Sequence, residues 1–165
     1  MEPMQAEKWY WQKTWGNFRT GDEGVTMSWP GGWAELAIYS KGVPKTARSF
    51  LSRLPLELPV VHVAWSGDMI MGAHSVPLDI KEAENLTRLV RPGDVAFDPK
   101  YEEITVTYGT AEARLPSGPN TLTVFGAIVG GLDDFAKWAR ARRFEGQGVL
   151  KFAGAGRKQA KGRQR

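Results

Sequence analysis

Proline and glycine divide this chain into many short stretches, and this punctuation limits what it can fold into more than any other feature. The 165 residues include 10 prolines and 19 glycines. The apolar runs between them have the length and composition of strands rather than long helices. Eight strands are predicted, at residues 25–29, 33–39, 60–65, 68–71, 94–98, 104–108, 121–125 and 149–152. Pro30, Gly31 and Gly32 predict a hairpin turn between the first two.

Two segments instead have the spacing of helices. The first begins at Pro44, since proline at the first helical position forfeits no hydrogen bond, and it ends before Pro55. The second is predicted over residues 132–142, with acidic residues in its first turn and basic residues in its last. Each has one apolar stripe, formed by Ala47, Phe50, Leu51 and Leu54 in the first and by Leu132, Phe135, Ala136 and Ala139 in the second. The sequence therefore predicts a mostly β fold, a closed antiparallel barrel with two capping helices.

The domain organisation follows from the two ends of the chain. Residues 24–153 are the predicted barrel domain, and residues 1–23 form an arm rich in aromatic side chains. Such an arm is expected to cover the barrel or a neighbouring subunit, which makes a homo-oligomer possible; a lid over a ligand pocket is the alternative. Residues 154–165 form a basic tail, which we interpret as a disordered solubilising end, with a weak phosphate contact as the alternative.

Composition excludes several classes of function. The chain has no cysteine, so disulfides, thiolate metal sites and cysteine nucleophiles are excluded. The five cations of the tail account for more than the whole net charge of +4, so the barrel is not expected to bind nucleic acid. No apolar run approaches the ~18 residues of a membrane span, and no signal peptide is recognised. A cytoplasmic protein with a small-molecule partner is expected, with no membrane association.

Three segments resemble the cyclophilins in order and rough spacing: PKTARSF at residues 44–50, VHVAWSGDMIMG at 61–72 and VFGAIVGGLD at 124–133. A closer resemblance is to bacterial cyclophilin-like proteins known only as domains of unknown function. It is carried by Leu54-Pro55, His62-Val63, Trp65-Ser66-Gly67, Pro92-Gly93-Asp94 and Tyr108-Gly109. That family is similar to the cyclophilin-like part of cucumopine synthase and to small bacterial Pictet–Spengler cyclases. The resemblance implies the cyclophilin-like barrel.

The chain departs from the cyclophilins where their chemistry is done. Their arginine, which polarises the prolyl amide, falls on Val63, and valine has no donor. The phenylalanine and glutamine of their proline pocket fall on Asp68 and Met71. Prolyl isomerase activity is therefore the least favoured function. An apolar slot for proline has become a mixed polar pocket.

The resemblance to Pictet–Spengler cyclases implies a cofactor-independent enzyme that condenses an aromatic amino acid, a tryptophan or histidine relative, with an aldehyde or keto acid. Proton transfer in such a reaction needs carboxylates or another base. We expect the two carboxylates Asp98 and Glu103 to converge near Asp68 at the pocket mouth. The candidate catalytic residues are Glu103, Asp68 and His62, and the candidate substrate-binding residues are Trp65, Met71, Asp98 and Asn120. No metal site or cofactor motif is recognised.

Each candidate also has a purely structural interpretation. Glu103 at a strand start is commonly a solvated carboxylate, Trp65 an ordinary core residue and His62 a structural histidine. Asn120 follows Gly118-Pro119 and fits turn chemistry. The alternative function is a non-catalytic module that holds a small ligand or a peptide in the same groove.

Overall fold

A computed structural model describes residue 21 and residues 23–154 of the chain. The predictions for the aromatic arm and the basic tail concern residues that lie almost entirely outside this part. Within it the strands are β1 (Glu23–Trp29), β2 (Gly32–Ile38), β3 (Leu56–His62), β4 (Gly67–Gly72), β5 (Leu86–Thr87), β6 (Asp94–Asp98), β7 (Glu103–Ala111), β8 (Arg114–Leu115), β9 (Gly118–Pro119), β10 (Leu122–Gly130) and β11 (Gly148–Gly154).

Eight of these strands close into a barrel. Their order is β2-β1-β11-β3-β4-β7-β6-β10, and β10 pairs back onto β2. All the pairings are antiparallel, and β5 adds two residues to β10. The first and last strands are neighbours, with Val25 opposite Gly154. The structure confirms the predicted mostly β fold, a closed antiparallel barrel with two helices within the described residues.

The two helices, α1 (Pro44–Ser52) and α2 (Leu132–Glu145), pack aromatic side chains into the barrel core. The Phe50 ring of α1 is fully buried, with ring centroids 4.8 Å from Phe125 and 5.6 Å from Phe152. On α2 the buried Phe135 ring lies 5.5 Å from Trp29. In the described part of the chain, neither helix is long and apolar enough to cross a membrane.

The third strand was predicted at residues 60–65, and that prediction was wrong at both ends. The strand begins at Leu56 and includes Pro59, which pairs in register with Val149 and accepts the Ala73 N–H through its carbonyl. It ends at His62, and residues 63–66 leave the ladder before β4 begins at Gly67. This irregular segment matters below, because it forms one wall of a cavity.

The N-terminus of α1 is capped from a distance. Its N-cap residue, Val43, has no side-chain oxygen, and the Glu84 carboxylate takes that role. It accepts hydrogen bonds from the Lys45 N–H at 3.2 Å, the Thr46 N–H at 2.7 Å and the Thr46 hydroxyl at 2.8 Å. The negative charge also lies at the positive end of the helix dipole.

Glu84→Ala is therefore expected to destabilise the protein by about 1–2 kcal/mol, the usual effect of losing an N-cap. The free energy of unfolding, measured in a urea titration, checks this. Glu82→Ala is the matched control, because Glu82 is an exposed acid two residues away. An equal change in the two variants would contradict a capping role for Glu84.

Candidate functional site

A cavity of about 380 Å³ with a mostly apolar surface, called the main cavity below, lies against the sheet formed by β4, β7 and β6. Its apolar wall is formed by Val63, Trp65, Met69, Met71, Ala113, Leu115, Pro116 and Leu122. Its polar lining consists of Ser66, Asp98, Tyr101, Glu103, Thr105, Arg114, Ser117 and Asn120. A cavity of this size, in which an apolar wall faces convergent polar groups, is typical of a small-molecule site.

Strand alternation explains which side chains reach the cavity. Residues two apart along a strand share a face, so Met69 and Met71 of β4 point the same way. Paired residues of neighbouring strands also share a face, and Met71 is opposite Thr105, while Asp98 is opposite Glu103. The adjoining segment 63–66 adds Val63 and Trp65.

The two carboxylates of the cavity lie side by side. Register partners on antiparallel strands have Cβ atoms ~5 Å apart, so Asp98 and Glu103 are close enough for their charges to interact. Asp98 is almost completely buried, and Glu103 is partly buried. Burial raises the pKa of the Glu103 carboxyl above its ordinary value, and the Asp98 charge raises it further. Such a carboxyl can give and take a proton closer to neutral pH.

Asn120 is oriented by Asp98. The Asp98 carboxylate accepts a hydrogen bond from the Asn120 side-chain amide at 2.7 Å and another from the Lys100 backbone N–H at 2.9 Å. Because an ionised carboxylate can only accept, the NH₂ group of Asn120 must face it, and the amide oxygen must point elsewhere. That oxygen, Oδ1, is buried and has no hydrogen-bond partner among the described residues.

A second acceptor in the lining is also unsatisfied. The hydroxyl of Thr105, on a residue that is 5% exposed, has no hydrogen-bond partner in the described part of the chain. Buried polar atoms without partners are uncommon in folded proteins and call for an explanation, such as a ligand or a water molecule. A ligand that donates N–H groups would satisfy both Thr105 and Asn120.

Five of the seven predicted site residues line this cavity: Trp65, Met71, Asp98, Glu103 and Asn120. Trp65 is 36% exposed, so it is not an ordinary core residue. Asn120 follows a turn but has a buried, bonded side chain.

His62 and Asp68 lie elsewhere, and the predicted convergence of Asp68 with Asp98 and Glu103 is wrong. Asp68 is three residues before Met71 on β4, so strand alternation places the two on opposite faces. His62 precedes Val63 and lines a second cavity, of about 440 Å³, together with Arg142 and Arg143 of α2.

His62 and Asp68 are joined by Arg143. The Arg143 guanidinium donates to His62 Nε2 at 3.0 Å, to the Gly67 carbonyl at 3.3 Å and to Asp68 Oδ1 at 3.2 Å. The Tyr108 hydroxyl also lies 2.7 Å from His62 Nε2. Burial lowers the pKa of His62 below 6.5; the hydrogen bond to the Val63 carbonyl opposes this, and the Arg143 charge adds to it. His62 is therefore neutral at pH 7.

This lowered pKa predicts a pH dependence of stability. The unfolded chain binds a proton at His62 near pH 6.5, whereas the folded chain does so only at lower pH. The contribution of neutral His62 to the free energy of unfolding is thus present above pH 6.5, and it is lost as the pH falls through the lower pKa of the folded state. His62→Gln should flatten the stability profile between pH 7.5 and pH 5, measured by denaturation at each pH; the exposed His74→Gln should not. Identical profiles for the two variants would contradict the prediction.

Several lining residues escaped the sequence analysis. Thr105 could have been found, because it lies two residues after Glu103 on the same strand face. The short strands β8 and β9 form a hairpin whose turn supplies Pro116 and Ser117, and it is tied down by the hydrogen bond from the Asn120 N–H to the Ala113 carbonyl. Two-residue strands have too little pattern to be recognised. Within the described residues, no His, Asp and Glu side chains are grouped as a metal site.

Comparisons with known proteins agree with the fold. Residues 25–153 match a family described as "Protein of unknown function (DUF3830)". The structure of McbB in complex with tryptophan is similar, with a TM-score of 0.63 and 16% identity over 78% of this chain, which spans only 44% of the McbB chain. The solution structure of the hypothetical protein AF2241 from Archaeoglobus fulgidus is also similar, with a TM-score of 0.57 and 17% identity over 83% of this chain and 98% of that chain. No curated protein matches the sequence.

Proposed function

The chain belongs to the DUF3830 family, and we propose that it is a cofactor-independent enzyme that condenses an aromatic amine with an aldehyde or keto acid in a Pictet–Spengler reaction. The observation that carries the proposal is the cavity that combines an apolar wall around Trp65 with the neighbouring carboxylates Asp98 and Glu103. One part of this cavity suits an aromatic ring and the other suits a nitrogen cation.

The proposed reaction begins with the amine nitrogen attacking the carbonyl carbon, and the carbonyl oxygen leaves as water. The product is an iminium cation. Asp98 is held by two hydrogen-bond donors, from Lys100 and Asn120, so its charge is fixed in place to stabilise this cation. The free acceptors of Asn120 and Thr105 would receive N–H groups of the amine.

Ring closure follows when an aromatic carbon forms a bond to the iminium carbon. The attacking carbon then carries both its hydrogen and the new bond, and aromaticity returns when a base removes the proton. Glu103 is the proposed base, because its raised pKa lies closer to neutral pH, where a general base is most effective. Met69 and Met71 offer polarizable contacts to the ring beside Trp65.

The similarity to McbB supports the amine class, since the structure of that protein is a complex with tryptophan, an aromatic amino acid. Val63, which lines the cavity and is 4% exposed, has no donor to polarise a prolyl amide, so prolyl isomerisation is not favoured. The second candidate is a non-catalytic module that binds a small amine. The two unsatisfied acceptors favour it as much as they favour an enzyme.

The test incubates the protein with tryptophan, tryptamine or histidine and a panel of aldehydes and 2-keto acids. Mass spectrometry detects the product, whose mass is the sum of the reactants less water. An open imine has the same mass, so an amine deuterated at the ring position that closes is used: cyclisation removes the deuterium, and an imine keeps it. Deuterium loss above the rate without protein supports the enzyme. Saturable binding with no deuterium loss supports the module. If the protein gives no binding and no product, both proposals are overturned.

A further inference from the structure

We infer that Arg143, which lies outside the main cavity, is a positioning residue that holds residues 63–66 in place and thereby sets the position of Trp65 in the cavity wall. This inference rests on the proposed function of that cavity. It also gives a role to His62 and Asp68, which the cavity itself does not include.

Arg143 binds both ends of this segment. Its Nε–H donates to His62 Nε2, immediately before the segment, at 3.0 Å. One of its terminal nitrogens donates to the first two residues after the segment, to the Gly67 carbonyl at 3.3 Å and to the Asp68 carboxylate at 3.2 Å. A planar guanidinium fixes the relative direction of such bonds, so one side chain spans the base of the segment.

The two anchors are themselves held rigidly. The second oxygen of the Asp68 carboxylate accepts the Thr110 N–H at 3.1 Å, and the carboxylate occupies the space beside Gly109 that a β-carbon would fill. His62 Nδ1 lies 2.7 Å from the Val63 carbonyl, so this nitrogen carries the hydrogen. Nε2 is then the unprotonated nitrogen, and its lone pair faces two donors, the Arg143 Nε–H at 3.0 Å and the Tyr108 hydroxyl at 2.7 Å.

An external support matters most for the middle of the segment, because Val63 and Ser66 are buried whereas Ala64 and Trp65 are exposed. Residues 63–66 lie outside the strands, and the backbone hydrogen bonds near them run from the Val63 N–H to Met69 and from the Glu112 N–H to Ser66. Trp65, at 36% exposure, is not locked by the core. A single layer of backbone separates the two cavities here, since Val63 lines both the main cavity and the one beside Arg143.

The experiment uses the full chain with Arg143→Gln and Arg143→Lys. The control is Lys137→Gln, which removes a positive charge from an exposed position of the same helix. The indole N–H resonance of Trp65 is identified by its absence in Trp65→Phe, and its shift and line width are compared among the variants. Affinity for L-tryptophan is measured by calorimetry in parallel.

In Arg143→Gln the Trp65 resonance is expected to move and broaden, while that of buried Trp29 stays, and tryptophan is expected to bind about tenfold more weakly, equivalent to 1.4 kcal/mol. Arg143→Lys should restore part of the effect, and Lys137→Gln should show none. An unchanged Trp65 resonance in Arg143→Gln overturns the inference whatever the affinity. If the resonance moves but no variant, including the original chain, binds an amine, the positioning role stands and the proposed function fails.

Discussion

Glu103→Gln is expected to lower the turnover number of the proposed condensation by about 100- to 10,000-fold, the usual contribution of a general base. Glutamine keeps the size and the hydrogen-bonding capacity of the side chain but cannot take the ring proton. The affinity for the amine should change far less, because Asp98 retains its charge beside the cavity. Single-turnover rates with the deuterated amine measure the effect on the proton-transfer step directly.

Glu102→Gln is the matched control, since Glu102 is the neighbouring acid and does not line the cavity.

Glu103→Gln should also stabilise the protein near neutral pH. Because burial raises the pKa of Glu103 in the folded protein, the free energy of unfolding falls as the pH rises through that pKa and the carboxyl becomes charged. Glutamine has no charge to bury, so it avoids this loss. A Glu103→Gln variant with unchanged turnover would remove Glu103 from the mechanism.

Phe50→Ala is expected to destabilise the protein by about 3–5 kcal/mol, the range for deleting a buried phenylalanine. The ring is fully buried and contacts the rings of Phe125 and Phe152, which belong to two strands that are not neighbours in the barrel. Its removal would leave a void that the closed sheet cannot readily fill. Guanidinium denaturation, with a comparison of m-values, measures the loss.

The control is Phe144→Ala on α2, whose side chain is 86% exposed. Its free energy of unfolding should change by less than about 0.5 kcal/mol, as for most surface substitutions. A Phe50→Ala variant that lost less than about 1 kcal/mol would mean that the core repacks around the missing ring, and that α1 contributes little to barrel stability.

The order of strands and helices was predictable because local signals specify it. Pro44 and Leu132 begin their helices as the sequence predicts, and the strand Asp94–Asp98 has the predicted bounds. The ends of other strands were less accurate. Strand β10 continues to Gly130, five residues beyond its prediction, because it pairs with β2 as well as β6. Pairings between distant strands leave no local signal.

The candidate site was predictable where strand alternation could be applied. Asp98 and Glu103 are opposite each other on the paired strands β6 and β7, and both were expected at the pocket. Asp68 was misplaced because it was assigned from the position it matches in another family, while its distance of three residues from Met71 already put it on the other face. Arg143 could not be found from sequence, since the side chains it binds are 75 and 81 residues away.

Because Val25 lies opposite Gly154, the polypeptide enters and leaves the barrel at one place. A domain with adjacent termini can be inserted into a surface loop of a host protein with little distortion of either. It can also be circularly permuted, with the old ends joined by a short linker and new ends opened in an exposed loop. This geometry suits a unit that evolution can move between protein contexts, alone or embedded in a longer chain.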